Sequence, residues 1–451
     1  MSTEERLLSG WGRTAATRAR VRTPAGAADV AALLRHPGER GVLARGLGRS
    51  YGDAAQNAGG LVLDMTAMSR IKAIDRATPS VTAEAGVSLK DLANALLPFG
   101  LFLPVTPGTQ HVTLGGAIAA DVHGKNHHVD GSLCAHVTSL VLQSPAGERL
   151  TLDRATTPDE FFATAGGMGL TGIVLEATLT PIRIETAYIA EQVARAPDLD
   201  ATMEGLASTD ASHRYSVAWI DCLARGNRLG RSVLMQGDHA PVEMLSGPAR
   251  AKPLELPQRL PLAAPPWLPS GLVRRETVAV FNEVYFRRAP VRAERLTPLD
   301  RFFYPLDSVA GWNRVYGRRG LVQYQLALPL GSEHAMREVL ERLAASPAPA
   351  TLAVLKRFGP QEGLLSFPLP GWTLAMDLPA DAPQLSELLD GLDELTAEAG
   401  GRVYLAKDSR LRPELLEAMY PELPRWREVR ARLDPAGAMR SDLARRLGLQ
   451  K

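Results

Sequence analysis

The sequence PGTQHVTLGGAIAADVHGKNHH, residues 107–128, combines paired glycines, small side chains and four histidines. Gly115 and Gly116 are followed by several alanines, so main-chain amides stay uncovered on a stretch that is compatible with a helix. Such amides let a polyanion, for example a pyrophosphate, approach the backbone closely. The stretch therefore predicts an anion-binding element of the fold.

The four histidines of this stretch differ in what they predict. His123 lies beside Gly124 and Lys125, and a pKa near neutrality makes a histidine there a candidate proton-transfer group or cofactor contact. The other three are expected to be polar loop residues: His111, His127 and His128. No metal site is predicted, because the glutamate that follows the first histidine in zinc-protease helices is missing here.

The composition is that of a globular protein. With 451 residues, 45% of them hydrophobic, the chain can bury a large core, and its length is typical of two or three domains. A formal net charge of +2 gives no basis for nucleic-acid binding. Cys134 and Cys222 lack metal-ligand spacing, and we expect both to be small buried residues. The first ten residues do not have the pattern of a secretory signal peptide, so none is expected.

Strands dominate the local patterns of the first part of the chain. Residues 41–65 indicate a strand, a glycine-rich loop and a second strand, and residues 80–86 indicate a further strand. Ser88 begins an amphipathic helix that reaches residue 97, and residues 137–152 indicate a β-hairpin. The sequence GMGLTG at 167–172 matches a dinucleotide-binding fingerprint, but a helix precedes it and a strand follows it. This order is the reverse of a Rossmann unit, so no Rossmann domain is expected.

A boundary near residue 185 separates the N-terminal part of the chain from a second structural unit. Periodicity there indicates helices at Glu333–Ala345 and Gln384–Ala399. It also indicates strands at Tyr215–Asp221, Val278–Phe286, Leu321–Leu328, Leu352–Arg357 and Trp372–Met376. These patterns predict an α+β protein in which helices cover an antiparallel sheet.

An unusual insert lies inside this second structural unit. Residues 253–270 contain too many prolines for a helix or a central strand, yet they carry several leucines and a tryptophan, which predicts a mobile apolar lid. Residues 271–320 contain ten arginines and five acidic residues. This pairing suits a phosphate that is attached to an apolar chain, although a solvated arginine-bearing loop is the simpler alternative.

Several motifs together resemble the PCMH-type FAD-binding module of the vanillyl-alcohol oxidase superfamily. They are GLGRSYGD at 46–53, VTAEAG at 81–86, PGT at 107–109, GG at 115–116 and GGMGLTG at 166–172. Later motifs are similar to those of the decaprenylphosphoryl-ribose 2′-oxidase branch: QYQ at 323–325, LKRFG at 355–359, FPLPGW at 367–372 and YLAKDS at 404–409. The resemblance covers essentially the whole chain.

The resemblance implies a fold and a domain division. Residues 1–185 would form the FAD-binding domain, and residues 186–401 the substrate-binding domain, with the mobile insert near 250–320. Residues 402–451 would return to the FAD-binding domain. Many relatives in the superfamily attach flavin through a histidine in the first glycine loop, but Arg49-Ser50-Tyr51 offers none, so noncovalent FAD is expected.

The resemblance also implies a reaction, a partner and a location. Branch members oxidise the 2′-hydroxyl of a ribose that is linked through phosphate to a polyprenyl chain. A separate NADH-dependent keto-reductase then completes epimerisation to the arabinose form, which supplies cell-wall arabinan synthesis. A peripheral location at the inner membrane or cell envelope is expected, on either the cytoplasmic or the periplasmic face.

Site residues carry over position by position. Lys407 and His123 are the candidate catalytic residues, and the sequence leaves open which of them is the base. The resemblance implies these FAD contacts: Ala44, Arg45, Gly46, Leu47, Gly48, Arg49, Ser50, Tyr51, Gly52, Asp53, Ala54, Gly108, Thr113, Leu114, Gly115, Gly116, Ala120, Asp121, Val122, His123, Ile173 and Tyr404. It implies these substrate contacts: Tyr51, Trp219, Gln323, Gln325, Lys356, Phe358 and Lys407.

One position departs from the branch pattern, and two alternative functions stay open. Ala375 occupies the position of the cysteine that reacts with covalent nitroaromatic inhibitors, which predicts insensitivity to them. The first alternative is an alditol or sugar-lactone oxidase that acts on a soluble sugar. The second is a flavin-binding scaffold without turnover. The electron acceptor, the lipid length and the oligomeric state are not determined by the sequence.

Overall fold

The computed structural model describes residues 3–257, 262–265, 267–269 and 271–450. The proline-rich insert predicted at 253–270 therefore falls partly outside the described residues. Among the described residues, no helix combines the length and the apolarity needed to cross a membrane.

Two sheets form the N-terminal part. Its strands are β1 (Glu4–Ser9), β2 (Ala16–Arg22), β3 (Val42–Arg45), β4 (Leu61–Asp64), β5 (Ile71–Asp75), β6 (Ser80–Glu84), β7 (Leu101–Phe102), β8 (Val137–Gln143), β9 (Arg149–Asp153), β10 (Ile173–Leu179) and β11 (Ile182–Arg183). Its helices are α1 (Ala27–Leu34), α2 (Leu89–Leu96), α3 (Leu114–Ala119), α4 (His127–Asp130) and α5 (Pro158–Thr164). The sheet orders are β1-β2-β4-β3 and β5-β6-β10-β8-β9, and β7 pairs with β11.

The predicted strands, helix and hairpin of the N-terminal part are confirmed. His127 and His128, which were expected in a loop, instead begin helix α4, and His127 is buried. Strands β3 and β4 are parallel neighbours on either side of the glycine-rich loop. The side chain of Ser88 accepts a hydrogen bond from the Asp91 amide and so caps α2. Helix α5 precedes the GMGLTG loop and strand β10 follows it, so this loop does not belong to a Rossmann unit.

One large sheet organises the second part. Its strands, together with a short separate pair, are β12 (Tyr188–Ala196), β13 (Tyr215–Ile220), β14 (Ser232–His239), β15 (Leu262–Ala263), β16 (Arg292–Pro298), β17 (Val309–Ala310), β18 (Leu321–Pro329), β19 (Thr351–Phe358), β20 (Gly371–Pro379) and β21 (Arg402–Val403). Its helices are α6 (Leu199–Ala207), α7 (Gly247–Ala251), α8 (Arg275–Arg288), α9 (Leu299–Phe303), α10 (Glu333–Ala345) and α11 (Leu385–Glu398). The antiparallel order is β16-β12-β14-β13-β19-β20-β18-β21, and α6, α10 and α11 pack on this sheet. The predicted α+β class, with helices over an antiparallel sheet, is confirmed.

The strand predicted at Val278–Phe286 is wrong, because the segment belongs to helix α8. Burial follows a helical spacing, since Val278 and Asn282 are buried while the residues between them are more exposed. The Thr277 hydroxyl accepts a hydrogen bond from the Arg274 amide at the start of the helix. The β-branched and aromatic residues suggested a strand, but they are the apolar surface of a helix, and tertiary packing outweighs their local preference.

The last segment of the chain packs on the N-terminal part. It contains α12 (Pro413–Met419), α13 (Leu423–Leu433) and α14 (Asp442–Leu447). The Trp426 indole donates a 2.9 Å hydrogen bond to the Ala163 carbonyl, and the Val42 amide donates one of 2.8 Å to the Ala438 carbonyl. The Tyr51 amide reaches the Ala406 carbonyl at 3.1 Å. These contacts bring Lys407 beside the first glycine loop.

Candidate active site

A cavity of about 1520 Å³ lies between the N-terminal part and the large sheet. The glycine loop at 44–51 and the stretch around residues 106–125 line one side of the cavity. Strands of the large sheet line the other side, with Lys407 at the junction. Because one drug-sized ligand occupies a pocket of about 300–1,000 Å³, this cavity has room for a dinucleotide together with a second ligand.

The glycines of the cavity wall allow close backbone packing. A Cβ at Gly46 would overlap the hydroxyl of Thr113, and a Cβ at Gly115 would lie 2.9 Å from the Cβ of Ala85. Thr113 is the N-cap of α3, because its side chain accepts a hydrogen bond from the Gly116 amide. Gly48 has a φ of 64°, a left-handed conformation that favours glycine. The two glycine-containing segments are thereby held against each other. The amides of Gly115 and Gly116, which the sequence predicted to stay uncovered, donate to the Ala85 carbonyl and to the Thr113 hydroxyl.

Unsatisfied polar atoms at the cavity indicate a polar ligand. Among the described residues, four that line the cavity have a buried side-chain atom without a hydrogen-bond partner: Arg49 Nε, His123 Nδ1, Asp300 Oδ1 and Gln325 Oε1. The Arg49 guanidinium also stacks 3.8 Å above the Trp11 ring, so this cation is held at the cavity. Buried polar atoms are normally satisfied, so these four fit a bound cofactor or substrate. The glycine loops, the unsatisfied atoms and the volume together fit FAD.

Most of the predicted FAD contacts line this cavity. They are Ala44, Arg45, Gly46, Leu47, Gly48, Arg49, Ser50, Tyr51, Ala54, Gly108, Thr113, Gly115, Gly116, Ala120, Val122, His123 and Tyr404. The predicted substrate contacts that line it are Tyr51, Trp219, Gln323, Gln325, Lys356 and Lys407. The tertiary structure therefore brings both predicted catalytic residues into one cavity.

The remaining predicted residues lie behind the cavity wall. Leu114 and Ile173 are buried in hydrophobic core, and Gly52 packs against the Asp408 carbonyl. The Asp53 carboxylate binds the Arg446 guanidinium at 2.8 Å.

Asp121 and Phe358 also lie behind the wall, and each contacts residues of the site. The Asp121 carboxylate accepts hydrogen bonds from the side chains of Ser132, Ser366 and Gln361. The Phe358 ring packs edge-on against His123, with 4.9 Å between the centroids. These residues support the groups that line the cavity.

The contact between Gln325 and His123 determines which imidazole nitrogen carries the proton. Thr373 donates its hydroxyl to the Leu326 carbonyl at 2.8 Å, so Thr373 Oγ1 accepts the 2.9 Å bond from Gln325 Nε2. The same amide nitrogen lies 2.9 Å from His123 Nε2. A second amide hydrogen of Gln325 therefore points at His123, whose Nε2 accepts it and whose Nδ1 carries the proton.

His123 is neutral at physiological pH. Burial lowers its pKa well below the ordinary value of 6.5, and the nearby cations Lys356 and Lys407 lower it further. A neutral imidazole whose Nε2 is occupied by Gln325 offers one remaining polar group, the Nδ1–H. His123 is thus arranged as a hydrogen-bond donor.

Three partly buried lysines line the same cavity: Lys125, Lys356 and Lys407. Burial lowers the pKa of Lys356 to about 7, with further repulsion from Lys407 and Lys125. Burial lowers the pKa of Lys125 to about 8, and its ammonium donates to the Phe302 carbonyl. Burial also lowers the pKa of Lys407 to about 8, and Asp377 opposes that shift. The lysines make this end of the cavity suitable for an anionic ligand.

Asp377 connects the large sheet to the glycine loop. Its carboxylate accepts a hydrogen bond from the Gln323 amide, and Gln323 also hydrogen-bonds the Tyr51 side chain. Burial raises the pKa of Asp377 to about 7, whereas the charge of Lys407 lowers it. The network orients Tyr51 and Gln323, which both line the cavity.

Sequence reasoning did not assign Lys125, Asp377, Met168 or Gly169 to the site. Lys125, Met168 and Gly169 line the cavity, and Asp377 supports it. Two of them had a usable signal, since Lys125 follows His123 closely and Asp377 interrupts an apolar strand. The GGMGLTG motif at 166–172 contributed to the family resemblance, but the sequence analysis named no cofactor or substrate contact in it.

Comparisons with known proteins agree with this site. A family model described as an FAD binding domain matches residues 19–153, and one for D-arabinono-1,4-lactone oxidase matches residues 375–447. The decaprenylphosphoryl-beta-D-ribose oxidase of Mycolicibacterium smegmatis is 42% identical over 99% of this chain and 98% of its own length. A Streptomyces coelicolor protein described as an uncharacterized protein in mprA 5'region is 44% identical over 80% of this chain and 100% of its own length. L-gulono-1,4-lactone dehydrogenase of Mycobacterium tuberculosis is 32% identical, over 37% of each chain.

Fold, cavity and family model together define an FAD-dependent oxidoreductase that acts on CH–OH groups. Its cofactor is FAD. The similarity over nearly the full length of both chains then identifies the family more closely. The chain belongs to the decaprenylphosphoryl-beta-D-ribose oxidase family.

Proposed function

We propose that this chain oxidises the 2′-hydroxyl of decaprenylphosphoryl-β-D-ribose to the 2′-keto sugar, using noncovalent FAD. The observation that carries the proposal is the meeting of Lys407, His123 and the glycine loops in one cavity. The name of the Mycolicibacterium relative supports the substrate, and the cavity volume supports a sugar beside the dinucleotide. We assign FAD binding to residues 1–185 and 402–451 and substrate binding to residues 186–401.

Lys407 is the proposed base. Bound FAD supplies a two-electron acceptor for the hydride that leaves the carbinol carbon. The hydroxyl proton passes to the Lys407 amine, which becomes the ammonium. A pKa of about 8 leaves about one tenth of Lys407 in the neutral form at pH 7, whereas an ordinary lysine is almost fully protonated.

His123 orients the substrate in this proposal. Its Nε2 accepts from Gln325, so protonation there would break that contact. Its Nδ1–H is suited to donate to the reacting oxygen and hold the carbinol carbon in position. Removing an orienting donor is expected to cost less rate than removing the base.

The wall of the large sheet supports an anionic sugar ligand. Gln323, Gln325 and Trp219 provide two amides and an aromatic face, which suit a ribose ring. Lys356 is the proposed contact for the sugar-linked phosphate, since it is partly buried at the cavity and its ammonium contacts a neutral group, the Gly124 carbonyl, at 3.4 Å. This grouping distinguishes a phosphorylated sugar from a neutral polyol.

The keto product requires a further reaction. We propose that an NADH-dependent keto-reductase partner reduces it, which completes epimerisation to the arabinose form for cell-wall arabinan synthesis. We also propose peripheral contact with the inner membrane or cell envelope, because the substrate is anchored by a polyprenyl chain.

Anaerobic mixing of the FAD-loaded protein with decaprenylphosphoryl-ribose tests the proposal. We expect the visible flavin band to bleach, and Lys407→Ala to slow bleaching by about 10²–10⁴-fold while still binding FAD. His123→Ala should slow it less. Lys252→Ala, a change at an exposed ion pair, is the matched control and should bleach at the wild-type rate. Unimpaired bleaching in Lys407→Ala would remove Lys407 from the mechanism.

A soluble sugar substrate is the second candidate. The match of residues 375–447 to a D-arabinono-1,4-lactone oxidase model favours it. Flavin bleaching by free polyols or sugar lactones, with none by the polyprenyl-linked ribose, would replace the first proposal. A flavin that no sugar reduces would instead indicate a scaffold without turnover.

A further inference from the structure

The outer surface of helix α8 is apolar. Val280, Phe281, Val284 and Tyr285 are 65%, 52%, 43% and 36% exposed. Their spacing of one, three and four residues places them in one stripe along the helix, which we call the α8 stripe. Four neighbouring exposed apolar side chains on one helix are uncommon in a monomeric protein and mark an interaction surface.

A neighbouring face of α8 is attached to the end of strand β13 and to helix α10. The Asn282 amide donates a 2.7 Å hydrogen bond to the Asp221 carboxylate, and Val278 is buried. The Arg275 guanidinium donates to the Ala344 carbonyl. The α8 stripe is therefore a fixed outward surface and not the inner face of a detached helix.

The α8 stripe borders the mouth of the active-site cavity. Phe281 and Tyr285 line the cavity from outside, together with Leu262 and Leu296, which are 68% and 38% exposed. The ring of Tyr285 lies 4.6 Å from the ring of the cavity residue Trp219. Apolar side chains thus form a path that extends from the protein surface to Trp219 at the proposed sugar site.

Positive charge surrounds this apolar surface. Residues 271–301 contain seven arginines and four acidic residues, whereas the whole chain has a net charge of only +2. Arg288 and Arg292 are exposed. The side chains of Arg287 and Arg295 are also 75% and 55% exposed, although each pairs with a carboxylate, that of Glu283 and that of Glu191. Basic residues beside exposed aromatic and aliphatic side chains are typical of a surface that lies on anionic lipid headgroups.

We propose that the α8 stripe and its arginines dock this chain on an anionic lipid bilayer, with the cavity mouth against the membrane. A polyprenyl chain could then leave the bilayer along the apolar path while its phosphoribose enters the cavity. The part of this inference that concerns substrate entry rests on the proposed function. The docking itself rests on the stripe and the arginines alone.

Vesicle binding of the full-length, FAD-loaded protein tests the docking surface. We expect co-sedimentation with vesicles of phosphatidylcholine and phosphatidylglycerol, weaker binding to pure phosphatidylcholine, and release at high salt. Val280→Asp combined with Val284→Asp should weaken the binding at least tenfold. Neither valine lines the cavity, so bleaching of the flavin by a short-chain, water-soluble phosphoribose substrate should be unchanged.

A matched control separates this surface from general charge effects. Leu7→Asp combined with Leu330→Asp introduces the same two negative charges away from α8, at residues that are 70% and 49% exposed. This control variant should bind vesicles like the wild type. Wild-type binding by the α8 double variant would overturn the proposal. Concentration-dependent dimerisation without lipid, lost in the α8 variant, would overturn it in favour of a second copy of the chain. Vesicle binding with no flavin reduction by any phosphoribose would overturn the proposed function and leave the docking surface standing.

Discussion

The carboxylate of Asp408 accepts a hydrogen bond of 2.8 Å from the guanidinium of Arg446. The same guanidinium binds Asp53, at the end of the first glycine loop, at 2.8 and 3.0 Å. Burial alone would lower the pKa of Arg446, but the two carboxylates raise it. Because Asp408 directly follows Lys407, Arg446 fixes the distance between the proposed base and the glycine loop. Arg446 is a positioning residue.

Arg446→Gln is expected to lower both stability and the rate of flavin reduction. Loss of the charge-assisted hydrogen bonds should cost about 2 kcal/mol of unfolding free energy, as measured by urea unfolding. The rate constant for flavin bleaching should fall. Its increase with pH through about 8, which we expect from deprotonation of Lys407, should remain. Arg412→Gln, which breaks an exposed ion pair with Glu394, is the control and should change neither quantity. Wild-type bleaching by Arg446→Gln would show that the bridge does not position Lys407.

Gly46→Ala is expected to abolish stable FAD binding. The added Cβ would overlap the Thr113 hydroxyl, so the glycine loop and the start of α3 would have to separate. The ratio of flavin absorbance to protein absorbance after gel filtration measures retention of the cofactor. Gly26→Ala is the control, because no described atom lies within 4 Å of a Cβ built there. Full retention of FAD by Gly46→Ala would mean that these two loops do not form the cofactor site.

The rate of flavin reduction at saturating substrate is expected to rise with pH through about 8. Lys407 has its pKa lowered to about 8, and only its neutral amine can take the hydroxyl proton. Stopped-flow bleaching between pH 6 and 9 measures this limb, and Lys407→Ala should be slow and independent of pH in that range. If His123→Ala removed the limb and Lys407→Ala retained it, His123 would be the base.

The stability of the FAD-free protein is expected to increase from pH 7 to pH 9. Lys356 has a folded pKa of about 7, against an ordinary value of 10.5, so the unfolded chain binds more protons in this range. A pKa that is depressed on folding makes protonation destabilising, and the penalty declines as pH rises. Urea unfolding should show that Lys356→Met loses about 2 kcal/mol of this increase. An equally steep increase in Lys356→Met would exclude Lys356 as its source.

The native chain is expected to form no covalent adduct with nitroaromatic inhibitors. Ala375 lines the cavity opposite Gln325 in the β18–β20 pairing. Both cysteines are buried, and burial raises the pKa of the Cys134 and Cys222 thiols, which makes them unreactive. Ala375→Cys should form one adduct per chain after flavin-dependent turnover with such a compound, as read by intact mass spectrometry. An adduct on the native chain would contradict this expectation.

Local patterns were sufficient where a residue's role depends on its chain neighbours. The capped helix α2, the hairpin of β8 and β9 and the helix α10 were predicted from periodicity and turn residues, and all are present. The same reasoning failed at α8. Its β-branched and aromatic residues lie on the helix surface beside the cavity, and their composition is typical of a strand. Alternating or periodic apolar residues predict burial, but Val280, Phe281, Val284 and Tyr285 of α8 are exposed.

The sequence by itself determined the class of fold and the FAD-binding family, and it identified Lys407 and His123 as candidates. It could do so because the glycine-rich loops and the other motifs are short runs of neighbouring residues in a characteristic order. Only the tertiary structure decided how these candidates differ. The Thr373 hydroxyl orients Gln325, Gln325 occupies one nitrogen of His123, and burial lowers the pKa of Lys407. Hydrogen-bond direction and desolvation depend on residues that are far apart in the chain, so no local pattern contains them. The run of residues 107–128 thus predicted one wall of the cavity, and the fold provides the contacts from which the roles of Lys407 and His123 are proposed.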